Sequence, residues 1–291
     1  MPPLPPAEVQ THPVCPVRVC RIVGDQVHDD DDALAVEEPL EVQISAVFGG
    51  RRRRRQISVT MRTPGHDREL AAGLLFAEGI VQDRTQILSI LPCRRGNRIR
   101  VVLRDDVIVD FARLKRNLTA NSSCGVCGKT SIDAVRACIP RRAIVDAAPF
   151  RADVIRRLPF QLRAAQAVFD RTGGLHASAI FDRTGHLLAL REDVGRHNAL
   201  DKLIGNRFLL GQTPMTNTIL LVSGRVSFEL VQKAAVAGIP ILAAIGAPSS
   251  LAVQLAQELG ITLAGFVREE RFNIYSWKER VDLEPADTHP A

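Results

Sequence analysis

The chain has 291 residues, is 46% hydrophobic and carries a net charge of +6 at pH 7, so it can bury a sizeable core and suits anionic partners without choosing among them. Aromatic residues make up only 4%, with one Trp and one Tyr, which excludes an aromatic stacking platform for nucleic acid. No apolar run is long enough to span a bilayer, no signal peptide is expected, and the six cysteines (Cys15, Cys20, Cys93, Cys124, Cys127 and Cys138) lack the spacing of a disulfide framework; the expectation is a cytoplasmic protein with neither nucleic acid nor membrane as partner.

Residues 1–35 carry six prolines and end in Asp29, Asp30, Asp31 and Asp32, a composition that predicts a disordered tail. A smaller strand-rich domain is expected over 36–120. Alternating apolar residues predict strands at 40–47 and 56–62 joined around Gly49-Gly50, with the arginines 51–55 as a solvated loop at the turn. Thr63-Pro64-Gly65 marks a turn holding His66. Asp67 is the expected cap of a helix through Leu70, Leu74, Leu75 and Phe76 that stops at Gly79, and further strands are expected at 98–103 and 107–111.

The stretch 121–131 concentrates chemistry. Cys124 and Cys127 stand two residues apart, with Gly125 and Gly128 giving the loop freedom to turn both sulfurs toward one visitor. A helix is predicted at 132–139, so the pair precedes a helix N-terminus, and Lys129 adds a positive charge that favours a thiolate. Such a pair also fits half of a zinc site, a thioredoxin-type redox pair or a chance pair. Zinc needs about four ligands and no second pair follows. The motif alone leaves these roles open.

From 132 to 280 an α/β domain is expected, followed by a flexible tail over 281–291. Helices are predicted at 152–158 and, restarted by Pro159, at 161–169, then a hairpin of 176–181 with 187–190 and a helix over 197–204. Strands at 219–222, 239–245 and 261–267 alternate with helices at 227–237 and 249–259. This order predicts a parallel sheet covered on both faces, with ligands at the carboxyl ends of its strands. Those ends hold Ser223-Gly224-Arg225, Gly246-Ala247-Pro248-Ser249-Ser250 and Arg268-Glu269-Glu270-Arg271. Small residues, helix starts and arginines suit a phosphate, although ordinary capped turns read the same way. Glu192-Asp193-Val194-Gly195-Arg196-His197-Asn198 crowds polar groups at a strand-to-helix junction, where His197 or His176 is either an acid, base or ligand or a capping or core histidine.

Taken together, Ser122-Ser123-Cys124-Gly125-Val126-Cys127-Gly128-Lys129, Thr172-Gly173-Gly174-Leu175-His176-Ala177, the run from Glu192 to Lys202, Ser223-Gly224-Arg225 and Gly265-Phe266-Val267-Arg268 closely resemble the formate dehydrogenase accessory sulfurtransferase family, FdhD, over about residues 39–275. The resemblance implies a cytidine deaminase-like three-layer α/β/α C-terminal domain. It implies a sulfurtransferase that takes persulfide sulfur from a cysteine desulfurase on Cys124, with Cys127 assisting, and delivers it to the bis-molybdopterin guanine dinucleotide molybdenum cofactor before insertion into formate dehydrogenase. That cofactor is bound as substrate, with no permanent cofactor or metal, and its site is similar to Phe266, Val267, Arg268, Glu269, Glu270 and Arg271. Lys129, His176, Arg196, His197, Ser223 and Arg225 are candidate supporting residues, formate dehydrogenase apo-enzyme is the expected acceptor, and a homodimer is expected. A zinc-dependent base deaminase relative is the enzyme alternative, yet Ser178 stands where the deaminase His-Ala-Glu segment needs its Glu. A non-catalytic chaperone for the cofactor or apo-enzyme is the third reading.

Overall fold

The structure, a computed structural model, describes residues 12–93, 97–109 and 149–283. The cysteine loop 121–131 and the helix expected at 132–139 lie outside the described residues. The chain is of mixed α/β type, with six α-helices among the described residues.

An N-terminal ribbon pairs β1 (Val14–Val23) with β2 (Gln26–Ala35) in antiparallel register. Composition predicted a disordered tail here; the two strands instead satisfy each other's backbone across a turn at Gly24, whose φ is +60°. Next, β3 (Glu38–Phe48) buries Leu40, Val42, Ile44 and Ala46 at alternate positions, and β4 (Arg51–Arg62) returns antiparallel through Gly49 and Gly50, both at positive φ. The arginines 51–55 therefore belong to a strand and not to a loop. With β5 (Ile87–Pro92) and β6 (Arg98–Leu103) these form a sheet of order β4-β3-β6-β5, in which β6 runs parallel to β3. No strand forms at Val107–Val109, and the rest of that predicted segment lies outside the described residues.

Helix α1 (Asp67–Ala77) packs Leu70 and Leu75 into the same core as β3 and β6. Asp67 does not cap it: His66, in the left-handed region, occupies the cap position, and the Asp67 carboxylate instead takes two hydrogen bonds of 2.9 Å from the buried Arg62. Gly79, at φ +69°, ends the helix as expected, with the Ile80 amide bonded to the Leu75 carbonyl.

After β7 (Phe150–Arg151), helix α2 (Ala152–Ala165) runs through Pro159 without a break, and the interruption falls instead at Gln166, before α3 (Ala167–Thr172). The second sheet comprises β8 (His176–Asp182), β9 (Leu187–Asp193), β10 (Thr218–Val222), β11 (Ile241–Ala244), β12 (Thr262–Gly265) and β13 (Asn273–Ser276), in the order β13-β12-β11-β10-β8-β9. Only β10, β11 and β12 are parallel. The hairpin turns β9 back on β8, and the 266–272 connection is too short for a crossover helix, so β13 returns antiparallel. The sheet is thus mixed where alternation of strands and helices predicted a parallel one.

Both faces are covered. Ile180, Leu220, Val222, Leu242 and Leu263 share a core with α4 (Arg196–Leu209), α5 (Phe228–Val236) and α6 (Ser250–Leu259). Ala179, Phe181, Ile219, Leu221 and Ala243 face Ile155, Leu158 and Leu162 of α2. The first core also contains β3, β6 and α1, so the two sheets expected in separate domains share one apolar interior. Their contact is sharpest where α1 meets α4: a Cβ on Gly73 would lie 1.9 Å from the Asp201 carbonyl oxygen, and one on Gly205 would lie 1.8 Å from that of Glu69. Only glycine lets the two backbones approach so closely. Finally, β14 (Val281–Asp282) pairs with β7, so the expected C-terminal tail begins with an ordered strand.

Candidate functional site

The carboxyl ends of β10, β11 and β12 carry three loops tied together through backbone. The Gly246 amide donates to the Gly224 carbonyl at 3.2 Å, Val226 donates to Ala247 at 3.0 Å, and Phe266 donates to Gly246 at 3.1 Å. Gly246 and Gly265 make this closeness possible, since a Cβ at the first would sit 2.7 Å from the Gly224 oxygen and one at the second 2.9 Å from Pro248 Cδ. Because β8 runs against β10 and β9 against β8, the start of β8 and the end of β9 fall at this same end. His176, Glu192, Asp193 and the first turn of α4 therefore join the three loops.

His176 begins β8 with its ring over Gly224, where a Cβ would stand 3.3 Å from Nδ1 and 3.9 Å from Arg196 Cδ. Burial and then the Arg196 charge lower its pKa, against the opposing pull of Asp193. Arg196 Nε is buried without a hydrogen-bond partner among the described residues. His197 sits deeper, with Nε2 3.2 Å from Ser227 Oγ and 3.1 Å from a Glu229 carboxylate oxygen. Burial, then Lys233, Arg196 and His176, push its pKa down to about 3 despite that carboxylate. At neutral pH His197 is an uncharged packing and hydrogen-bonding group.

A buried polar cluster below holds this end in place. Asp193 accepts from Lys202 Nζ at 2.7 Å, the Gly195 amide at 2.9 Å and the Thr63 amide at 3.2 Å. Lys202 also donates to the Thr63 carbonyl at 2.7 Å, and Asn198 Nδ2 donates to the Met61 carbonyl at 2.7 Å. Lys233 pairs with Asp201 at 2.6 Å. The β4-α1 turn thus clamps the N-terminal half of α4, on which Arg196 and His197 ride. From β9, Glu192 accepts from the amides of Val168 and Phe169 and caps α3, which makes it a structural residue.

The pH dependence of stability follows from these groups. His197 titrates near 6.5 when unfolded and near 3 when folded, so the unfolded chain binds the extra proton and stability falls as pH drops from about 6.5 toward 3. For Glu69, burial opposes ionisation, but hydrogen bonds from Arg191, His66 and Asn206 outweigh it and hold the carboxyl at about 2, which extends the loss from about 4.5 downward. Denaturant unfolding between pH 7 and 5 is expected to show a His197 contribution of at most about 1.4 kcal/mol per pH unit. In His197→Gln that slope should flatten; an equal slope in both proteins contradicts the assignment.

Of the residues expected from sequence, Cys124, Cys127 and Lys129 lie outside the described residues. His176, Arg196, His197, Ser223, Arg225 and Arg268 are brought to one end of the second sheet. Ser223 is already engaged, its Oγ accepting from the Ala177 amide at 2.9 Å. Arg268 is exposed, yet its guanidinium braces the loops by donating to the carbonyls of Val267 at 2.7 Å and Ile245 at 2.9 Å. Val267 is fully buried in the α2-facing core, whereas Phe266 is exposed with φ +54°. Glu269 and Glu270 turn aside to line a shallow pocket with Asp153, Arg156 and Arg157. Arg225 and Arg271 remain exposed and make no ion pair among the described residues. Sequence reasoning missed the partners below His197, namely Glu229 and the Asp201–Lys233 pair; their signal was charged residues on otherwise buried faces of α4 and α5.

The family model described as the FdhD/NarQ family matches residues 35–282. The chain belongs to the FdhD/NarQ family. It is 46% identical over 279 residues to a protein of Streptomyces avermitilis named sulfur carrier protein FdhD, with 92% of this chain and 96% of that one covered. A protein of the same name from Mycobacterium tuberculosis is 46% identical over 275 residues, covering 91% and 97%. Among solved structures, a formate dehydrogenase accessory protein from Desulfotalea psychrophila superposes with a TM-score of 0.68 at 25% identity, covering 92% of this chain and 99% of that one. The FdhD/NarQ match takes in β3 to β14 and leaves nearly all of the N-terminal ribbon outside it.

Proposed function

We propose that this protein is a cytoplasmic sulfur carrier that supports formate dehydrogenase. Cys124 takes persulfide sulfur from a cysteine desulfurase and passes it, with Cys127 assisting, to the bis-molybdopterin guanine dinucleotide molybdenum cofactor, held as substrate before it enters formate dehydrogenase. In loading, the Cys124 thiolate attacks the outer sulfur of the donor persulfide, the donor S–S bond breaks, and the donor cysteine leaves as thiolate. In unloading, Cys127 attacks the Cys124 sulfur, sulfide leaves for molybdenum, and a Cys124–Cys127 disulfide remains for a thiol reductant to open. The two cysteines thereby supply the two electrons that turn sulfane sulfur into sulfide.

The observation that carries this reading is the gathering of His176, Arg196, Arg225 and the Phe266–Arg271 exit at one sheet end, in a chain whose 46% identical relative is named a sulfur carrier. The exposed guanidiniums of Arg225 and Arg271 suit the diphosphate of a guanine dinucleotide, and Arg268 braces the exit that presents Arg271 against the end of β11. The layered sheet would then be a cytidine deaminase-like domain, and the protein would work as a homodimer. Complementing a strain that lacks this protein tests the proposal. Wild type should restore formate dehydrogenase activity and Cys124→Ala/Cys127→Ala should not; activity retained by the double variant would instead point to a chaperone that binds without transferring sulfur.

A further inference from the structure

Two oppositely charged strands each have one backbone edge with no strand partner among the described residues. Among the described residues β4 is the outer strand of its sheet, and over arginines 51–55 its only strand partner is β3. Arg52 folds back onto the sheet, donating to the Ser45 and Leu103 carbonyls at 2.8 Å and to Asp105. Arg51, Arg53, Arg54 and Arg55 are exposed and make no ion pair among the described residues. Strand alternation sets Arg51, Arg53 and Arg55 on one face. Among the described residues β2 pairs only with β1, and its aspartates 29–32 lie along a two-stranded ribbon. Asp30 is tied to Arg21 at 2.6 Å, Asp31 reaches Arg18 only at 3.9 Å, and neither Asp29 nor Asp32 makes an ion pair among the described residues.

Edge strands pair with whatever matches them unless charge forbids it. Two β4 edges brought together would set arginine against arginine, and two β2 edges aspartate against aspartate, both unfavourable in direct opposition. Only β2 against β4 places opposite charges across from each other on both faces. Within one copy no ion pair joins the two runs among the described residues. We infer that the arginine-rich edge of β4 in one copy of this chain takes the aspartate-rich edge of β2 in a second copy as its neighbouring strand. Each copy offers one edge of each kind, so a two-fold pair exchanges two such contacts and closes. This deepens the homodimer proposed above and is independent of sulfur transfer.

Sedimentation of the full chain at low and high salt, with circular dichroism to confirm folding, tests the contact. Wild type should associate at low salt, with a dissociation constant that rises at least about tenfold at high salt. Arg51→Glu/Arg53→Glu/Arg55→Glu should be monomeric, as should Asp29→Lys/Asp31→Lys/Asp32→Lys, whereas a 1:1 mixture of these two variants should associate, because one contact then sets Glu against Lys and the other Asp against Arg. Combining both sets in one chain should restore association. A wild type that stays monomeric at low salt, or one whose association ignores salt, overturns the inference even if a variant fails to fold. Binding of an oligonucleotide by the arginine strand, without self-association, would also overturn it. Failure here would leave sulfur loading intact, which separates it from failure of the carrier reading.

Discussion

Replacing Lys202 with methionine is expected to destabilise the fold by about 3–5 kcal/mol, read as a lower urea midpoint. Lys202 is 1% exposed and Asp193 fully buried, and their 2.7 Å pair lies among α4, β9 and the β4-α1 turn. Methionine fills similar volume, so packing is largely kept. It leaves the Asp193 carboxylate with amide donors but no counter-charge, and the Thr63 carbonyl without its 2.7 Å donor. The cost comes from desolvating an unpaired charge. Asp193→Asn/Lys202→Met should therefore recover part of the loss, because the orphaned charge goes too. A double variant as unstable as the two single effects added would contradict this account.

Gly246→Ala is expected to reduce formate dehydrogenase maturation on the order of 10–100-fold while lowering stability by only about 1–3 kcal/mol. The added methyl meets backbone on the neighbouring loop, 2.7 Å from the Gly224 oxygen and 2.9 Å from the Arg225 nitrogen, so neither contact can be relieved by turning a side chain. The two strand-end loops must separate, moving Arg225 away from the Phe266–Arg268 exit. Gly260→Ala, strained at φ +72° but at the opposite end of β12, provides the comparison. It should lose stability without a comparable loss of maturation. Equal losses of activity in both variants would mean that the loops do not form the working surface.

The second sheet was legible because its strands are short apolar runs bounded by turn residues and its helices are amphipathic. Strand direction was not, since nothing local in Asn273–Ser276 distinguishes an antiparallel return from a parallel crossover; the length of the preceding connection does. The ribbon was misread because proline and aspartate content reports the absence of a core, whereas β1 and β2 stabilise each other chiefly through backbone. The arginines 51–55 look like a loop for the same reason: an edge strand can keep polar side chains on both faces. Pro159 reads as a helix start, yet α2 continues through it with Ile155 and Leu158 buried on one side.

At the candidate site, residue types pointed to strand ends that the fold does bring together, but not to their employment. Ser223 and Arg268 look like ligand residues in the sequence, while the fold uses them first to hold its loops. Lys202 and Asp193 sit in the motif that suggested the family, yet their burial shows them securing the helix that carries Arg196 and His197. Which backbone carbonyl an amine reaches across 139 residues of sequence, as Lys202 reaches that of Thr63, becomes visible only in three dimensions.

Loading with sulfur decides whether the protein is a carrier. The protein is incubated with a cysteine desulfurase and cysteine, its intact mass is measured, and the sulfur is located by peptide mapping. One added sulfur is expected on the peptide containing Cys124, removable by a thiol reductant and absent in Cys124→Ala. No gain in mass, or a gain undiminished in Cys124→Ala, would contradict it.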